Sequence, residues 1–173
     1  MMKALASAAL FATAVCAPAL AQTSAETAEA AIVGSTGEPI GKLSIRGGPN
    51  ATVVRIAINP GGLTPGWHGI HFHSVGDCSD PGQFQLSKGH VNHDDSKHGL
   101  LNPDGPEEGD LPNIFANADG SANAEVVADL PLTGAEGLKN ADGSALVIHA
   151  NEDDHTSQPI GNAGARVACA AIK

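Results

Sequence analysis

Apolar and polar residues alternate in short runs along most of the chain, and the runs end at glycine, proline, asparagine or aspartate. A period of two is typical of β-strands that bury one face. The pattern predicts eight strands, at residues 31–34, 43–46, 52–58, 69–74, 113–118, 124–130, 145–150 and 165–172. Asp119-Gly120 and Asp142-Gly143 lie where hairpin turns need a positive φ. We therefore expect an all-β domain, built as a sandwich or a barrel.

The N-terminal segment has a different pattern. Lys3 precedes an apolar run, and Ala19-Leu20-Ala21 precedes Gln22, which is the plan of a secretory signal peptide. We predict a cleaved signal peptide over 1–21, a flexible lead-in over 22–30 and one domain over 31–173. The mature protein is then expected to be periplasmic or secreted, with no membrane attachment after cleavage.

Composition and charge narrow the range of partners. The chain has 9 basic and 19 acidic residues and a net charge of −10, and removal of Lys3 with the signal peptide makes it −11. This balance argues against nucleic acid and against an anionic membrane surface. Aromatic residues make up only 3% of the chain, without tyrosine, so small and β-branched side chains must form the core.

The long polar segment 76–112 has no strand pattern, and loops of this length are uncommon unless they carry function or are fixed by a metal or a disulfide. After loss of Cys16 with the signal peptide, two cysteines remain, Cys78 and Cys169. In an oxidising compartment an isolated pair is most simply a disulfide.

All eight histidines follow residue 67, and the densest cluster reads WHGIHFH over 67–73. Residues two apart on a strand project from one face, so His71 and His73 are placed to bind one ion, whereas Ile70 and Phe72 face the other side. His68 shares that second face, and we predict a buried, hydrogen-bonded histidine there.

Further candidate ligands lie in the long loop and at the end of a strand. Nitrogen and oxygen ligands at this density suit zinc or copper better than calcium. The candidates in the loop are His90, His93, His98, Glu107 and Asp110. His149 ends the apolar run Leu146-Val147-Ile148 and is a further predicted ligand.

Several motifs agree, in type and in order, with a known family. They are HGIHFH (68–73), GDC (76–78), His90 with His98, GDLPN (109–113), VIH (147–149), Asp153-Asp154 and GNAGARVAC (161–169). With these motifs the chain resembles the bacterial periplasmic copper-zinc superoxide dismutases. The resemblance implies an eight-stranded antiparallel Greek-key sandwich, or flattened barrel, with long metal-binding and disulfide loops.

The resemblance also implies roles for single residues. The four copper ligands would be His71, His73, His90 and His149. His90 would bridge copper to zinc, with His98 and Asp110 as further zinc ligands. Asp153 would link the rings of His71 and His98, Arg166 would attract and orient superoxide, and Cys78 and Cys169 would form the disulfide.

The implied activity is dismutation of superoxide by copper cycling between Cu(II) and Cu(I), with His90 and Arg166 as the catalytic residues. An alternative is a periplasmic copper-binding or copper-delivery protein on the same scaffold without turnover, and an interaction domain without metals is a third. Family members occur as monomers and as dimers, so a homodimer is one of two expected states.

One position departs from the family pattern. Where a third zinc histidine is expected, three residues before Asp110, the chain has Glu107. Three alternatives follow: zinc bound with Glu107, zinc bound weakly with His93 or water instead, or an empty zinc site beside a working copper. His155 has three alternatives as well: a proton donor, an accessory metal contact or a solvated side chain.

Overall fold

The computed structural model describes residues 25–173 and consists, over that range, of β-strands, loops and one 3₁₀ turn. The predicted signal peptide and residues 22–24 lie outside the described residues. The nine strands are β1 (Glu26–Gly34), β2 (Pro39–Gly47), β3 (Thr52–Ile58), β4 (Gly66–His68), β5 (Ile70–His73), β6 (Ile114–Ala116), β7 (Ala122–Ala128), β8 (Ser144–His149) and β9 (Arg166–Ile172). Within this range no helix is long and apolar enough to cross a membrane.

Seven strands form one curled antiparallel sheet in the order β5-β8-β9-β1-β2-β3-β7, and β4 pairs with β6 in a second, small sheet. β4 precedes β5 with only Gly69 between them, and β6 leads through a tight turn into β7. The small sheet is therefore joined through the chain to both edges of the large sheet. The predicted all-β antiparallel fold is confirmed.

Two details differ from the predicted strands. Each predicted strand has a counterpart, but β4 is additional, because three residues are too short to show an alternating pattern. The prediction of a flexible lead-in is wrong over residues 26–30. This segment pairs with β2, from Glu26 opposite Gly47 to Ala30 opposite Leu43. Backbone pairing holds this segment although its side chains are small and polar.

Small and branched apolar side chains fill the core, as the composition predicts. Ile32, Leu43 and Val54 have no exposed surface. β5 contributes Ile70 and Phe72 to this core, and it pairs with β8 so that His71 lies opposite Val147 and His73 opposite Ala145. One strand therefore carries core residues on one face and histidines on the other.

Candidate metal centre

A disulfide fixes the long loop to β9. Cys78 and Cys169 are bonded, with 5.8 Å between their Cα atoms, as the isolated pair of cysteines predicts. Phe84, in the same loop, is fully buried and packs with Cys169, Ala145 and Val147. The loop is thereby held against β8 and β9, the strands that carry His149 and Arg166.

Four imidazoles converge beside this loop. His71 and His73 come from β5, His90 from the loop and His149 from the end of β8, and one ring nitrogen of each lies within 4.8 Å of the others. His90 reaches the group because it pairs as an isolated bridge with His73, at the free edge of β5. The side chains of this group are almost completely buried.

One nitrogen of each ring has a protein partner and the other has none. His71 Nε2 donates to Asp153 at 2.7 Å, His73 Nδ1 to the Lys88 carbonyl at 2.8 Å and His149 Nδ1 to the Gly164 carbonyl at 3.0 Å. In this cluster the buried ring nitrogens without a hydrogen-bond partner are Nδ1 of His71 and Nε2 of His73, His90 and His149. Buried polar atoms are seldom left unpaired, so four in one cluster indicate a ligand.

Burial lowers the pKa of His71, His73 and His149 and keeps these three rings neutral, whereas hydrogen bonds to Asp110 and Glu107 raise the pKa of His90 against the effect of burial. Burial, together with the neighbouring imidazole of His90 and the guanidinium of Arg166, lowers the pKa of His73 to about 2. Burial and the ring of His71 lower the pKa of His149 to about 3. Neutral imidazoles present lone pairs rather than protons, so this donor set fits copper.

A second cluster shares His90 with the first and consists of His90, His98, Glu107 and Asp110. Oε2 of Glu107 accepts from His90 Nδ1 at 2.6 Å, and Oδ1 of Asp110 accepts from His98 Nδ1 at 2.8 Å. Glu107 is held in place because its Oε1 accepts from the side-chain amide of Asn92 at 3.0 Å. Two imidazoles and two carboxylates form a donor set that fits zinc.

The histidines and the carboxylates of the second cluster shift each other's pKa values. Although burial opposes the charged form, hydrogen bonds to Asp110, Asp153 and Glu107 raise the pKa of His98 to about 11. Burial also opposes ionisation of Glu107, but hydrogen bonds from His90 and His98 lower its pKa to about 2. The same two histidines hold the pKa of Asp110 well below its usual range, against the effect of burial.

Asp153 connects the two clusters. Its Oδ2 accepts from His71 at 2.7 Å and its Oδ1 from His98 at 3.2 Å, and the side chain has no exposed surface. Asn113 fixes Asp153 by bonding both its backbone N–H and its carbonyl. A carboxylate in this position sets the orientation of both rings and directs their other nitrogens into the clusters.

Arg166 is the first residue of β9 and lies beside the four imidazoles. It pairs with His149 across an irregularity between β8 and β9, and it is partly buried. Nη1 donates to the Phe84 carbonyl at 2.6 Å and to Oγ of Ser87 at 3.1 Å. Neither Phe84 nor Ser87 was a candidate from the sequence, because no motif marks a loop carbonyl or a lone serine.

Three further histidines lie outside the two clusters. His68 is 1% exposed and bonds the carbonyls of His149 and Thr64, as predicted. His93 is exposed and bonds Glu108, at 2.6 Å from its Nδ1. His155 is partly buried, and its Nε2 accepts from Asn113 at 3.1 Å.

The fold and the site together define an all-β protein with two adjoining metal-ligand clusters that share one imidazole. The family model for copper/zinc superoxide dismutase (SODC) matches residues 40–172. The chain belongs to this family.

Individual relatives agree with this assignment. A protein of Caulobacter vibrioides named superoxide dismutase [Cu-Zn] is 48% identical over 152 residues, which are 85% of this chain and 86% of the relative. The crystal structure of a SOD-like protein from Bacillus subtilis covers 84% of this chain and 97% of its own, at 32% identity and a TM-score of 0.78. The Cu/Zn superoxide dismutase from Brucella abortus covers 86% and 100%, at 27% identity and a TM-score of 0.67.

Proposed function

We propose that the protein converts two superoxide anions and two protons into oxygen and hydrogen peroxide, with copper held by His71, His73, His90 and His149. The observation that carries this proposal is the convergence of four buried, unpartnered ring nitrogens beside Arg166. Copper, when bound, supplies the one-electron change between Cu(II) and Cu(I) that dismutation requires. The named relatives in this family support the same activity.

The residues around the first cluster have three further roles in this reaction: attraction of the substrate, orientation of the ligands and delivery of a proton. Arg166 stays charged at any physiological pH and attracts the anionic substrate, which a net charge of −11 on the mature chain would otherwise repel. His71, His73 and His149 are each held by a hydrogen bond on the far nitrogen, so their near nitrogens keep a fixed direction. His90 holds a proton at Nε2 when that atom is not a ligand and delivers it to the forming peroxide.

For the second cluster we propose zinc bound by His90, His98, Asp110 and Glu107. Its support is the position of Glu107, whose Oε2 lies within 3.6 Å of the Nδ1 atoms of both histidines. His93 is the weaker alternative, because Glu108 engages both its backbone N–H and its Nδ1. His155 belongs to none of the groups of converging ligand atoms, although its Nδ1 lies 3.6 Å from Oδ2 of Asp153, and we propose a role outside metal binding.

We also propose export, with cleavage after Ala21 and function in the periplasm or outside the cell. The disulfide between Cys78 and Cys169 supports this, because such bonds persist in oxidising compartments. Mass spectrometry of the mature N-terminus tests the cleavage site. Gel filtration of the mature protein distinguishes the monomer from the homodimer.

The deciding experiment is an activity assay on copper-loaded protein with and without zinc. We expect acceleration of superoxide decay in both states and a rate that falls as salt concentration rises, because salt screens the attraction by Arg166. An Arg166→Ala variant should lose most of that salt dependence. If copper binds fully but decay is not accelerated in either state, the copper-delivery alternative is correct.

A further inference from the structure

We infer that Ser87 is a positioning residue that orients the guanidinium of Arg166 toward the substrate anion. The inference rests on the proposed function. It concerns a residue that affects the substrate only through Arg166. Ser87 is the last residue of the single 3₁₀ turn in the described range, Gln85–Ser87, and its side chain is completely buried. It lies in the loop rather than on the strand that carries Arg166.

The geometry forms a closed set of three hydrogen bonds. Oγ of Ser87 donates to the Phe84 carbonyl at 2.7 Å, and Nη1 of Arg166 donates to the same carbonyl at 2.6 Å. Nη1 also donates to Oγ of Ser87 at 3.1 Å. The Ser87 hydroxyl thus donates to the Phe84 carbonyl and accepts from the guanidinium. It restrains Nη1 directly through its own bond, and indirectly by holding the carbonyl to which Nη1 also donates.

The turn that presents these acceptors is itself fixed. Phe84 has a left-handed backbone, with φ of 51°, and its buried ring packs beside the disulfide. The carboxylate of Asp80 accepts from the backbone N–H of Gln85 at 2.7 Å. The two oxygens therefore cannot follow a moving arginine, and the arginine must adopt the direction that they set.

Both acceptors are neutral, and this matters for an anionic substrate. Within residues 25–173 no carboxylate lies within salt-bridge distance of Arg166, although the carboxylate of Asp80 acts on its charge from a longer distance, and Nε and Nη2 make no hydrogen bond to protein. A carboxylate would orient the guanidinium equally well but would cancel its charge. A carbonyl and a hydroxyl hold one nitrogen and leave the charge and the other donors available to superoxide.

The first test uses azide as an anionic probe on copper-loaded protein, followed by the visible absorbance of Cu(II). We expect Ser87→Ala to weaken azide binding by about three- to tenfold, the net effect of one ordinary hydrogen bond, because the Phe84 carbonyl still holds Nη1 of Arg166. Ser144→Ala is the matched control, because Ser144 is equally buried and its Oγ bonds the Leu138 carbonyl away from Arg166. The control should bind azide like the parent.

The same substitution in an Arg166→Ala background separates positioning from general damage. If Ser87 acts through the guanidinium, Ser87→Ala has no further effect on azide affinity in that background. An equal loss in both backgrounds would overturn the inference, as would an unchanged affinity with Arg166 present. Because azide binding needs no turnover, this result is independent of whether the protein dismutates superoxide.

A second measurement does not depend on an added anion. In ¹⁵N spectra of the reduced holoprotein we expect separate Nη1 and Nη2 resonances for Arg166 in the parent and in Ser144→Ala. In Ser87→Ala the exchange between the two should be faster, because the Phe84 carbonyl alone then restrains rotation of the guanidinium. Exchange as slow as in the parent would contradict the positioning role.

Discussion

Oε2 of Glu107 lies 2.6 Å from Nδ1 of His90, the one ring that belongs to both metal-ligand clusters. The resemblance to bacterial copper-zinc superoxide dismutases predicts a histidine at this position, and the chain has a carboxylate. Without zinc the carboxylate accepts a hydrogen bond from the shared ring, whereas with zinc the two side chains would be ligands of one ion. Glu107 therefore contacts, through the single ring of His90, a residue that belongs to both clusters.

We predict that Glu107→Ala lowers zinc affinity at least about tenfold, because a tetrahedral site loses one of its four protein ligands. The measurement is zinc content after dialysis against a weak chelator, with copper content measured in parallel. Glu108→Ala is the matched control, since Glu108 is the adjacent glutamate and bonds His93 instead. Unchanged zinc content in Glu107→Ala would remove Glu107 from the ligands.

The metal-free protein should have a stability that depends on pH through the same cluster. The pKa of Glu107 is lowered from 4.5 to about 2, so its contribution is present above about pH 4.5 and is lost as the pH falls toward 2. The pKa of His98 is raised from 6.5 to about 11, so its contribution is complete below about pH 6.5 and is lost as the pH rises toward 11.

We therefore expect the cluster to stabilise the metal-free protein most between about pH 4.5 and 6.5, by on the order of 2 kcal/mol for Glu107. Urea unfolding across this range measures the effect. Glu107→Gln should flatten the acidic limb of the curve relative to the parent. Parallel curves for parent and variant below pH 4.5 would contradict the assignment.

Gly161 should tolerate no side chain. A Cβ there would lie 1.6 Å from Oδ1 of Asp153 and 2.9 Å from Nε2 of His98, and the residue has φ of 60°. We expect Gly161→Ala to displace Asp153, to lower the affinity for both metals and to reduce the unfolding free energy by several kcal/mol. Metal content and urea unfolding report the two effects.

The control for this substitution is Gly61→Ala. Gly61 also has a positive φ, 78°, but a Cβ there would meet nothing within 4 Å. It should show only the backbone cost of about 1–2 kcal/mol and keep its metals. Equal behaviour of the two variants would mean that backbone conformation, rather than contact with Asp153, accounts for Gly161.

Loss of the disulfide should destabilise the protein strongly. The bond joins residues 91 positions apart, for which the chain-entropy model gives about 4–5 kcal/mol. We expect Cys78→Ser to lower the unfolding free energy by about that amount and to loosen the packing of Phe84. Urea unfolding of the parent with and without a reductant should reproduce the difference, and no change on reduction would contradict it.

The positions of most strands and much of the first cluster could be predicted, because both follow local patterns. Alternation in WHGIHFH separates His71 and His73 from Ile70 and Phe72, and the structure keeps that separation. His68 shows the same logic, since a histidine facing the core must find buried acceptors.

The rest could not be predicted because it depends on tertiary contacts. The hold on Arg166 comes from the Phe84 carbonyl and Ser87, and their position follows from a left-handed residue and the packing of one ring. The first half of β1 is ordered by pairing with β2, which its own small side chains do not reveal. The hydrogen bond between His93 and Glu108, on which our preference for Glu107 as a zinc ligand rests, is a tertiary contact of this kind.

The pairing of β5 with β8 has a consequence for the order of folding. His71 and His149 lie on these two neighbouring strands but come from distant parts of the chain, and the loop with His90 is also joined to β9 by the disulfide at Cys169. Contacts of such long sequence separation form slowly, because loop-closure entropy opposes them until late. We therefore expect the four imidazoles to come together late in folding, so that a nascent chain would present copper with separated histidines rather than with a complete site.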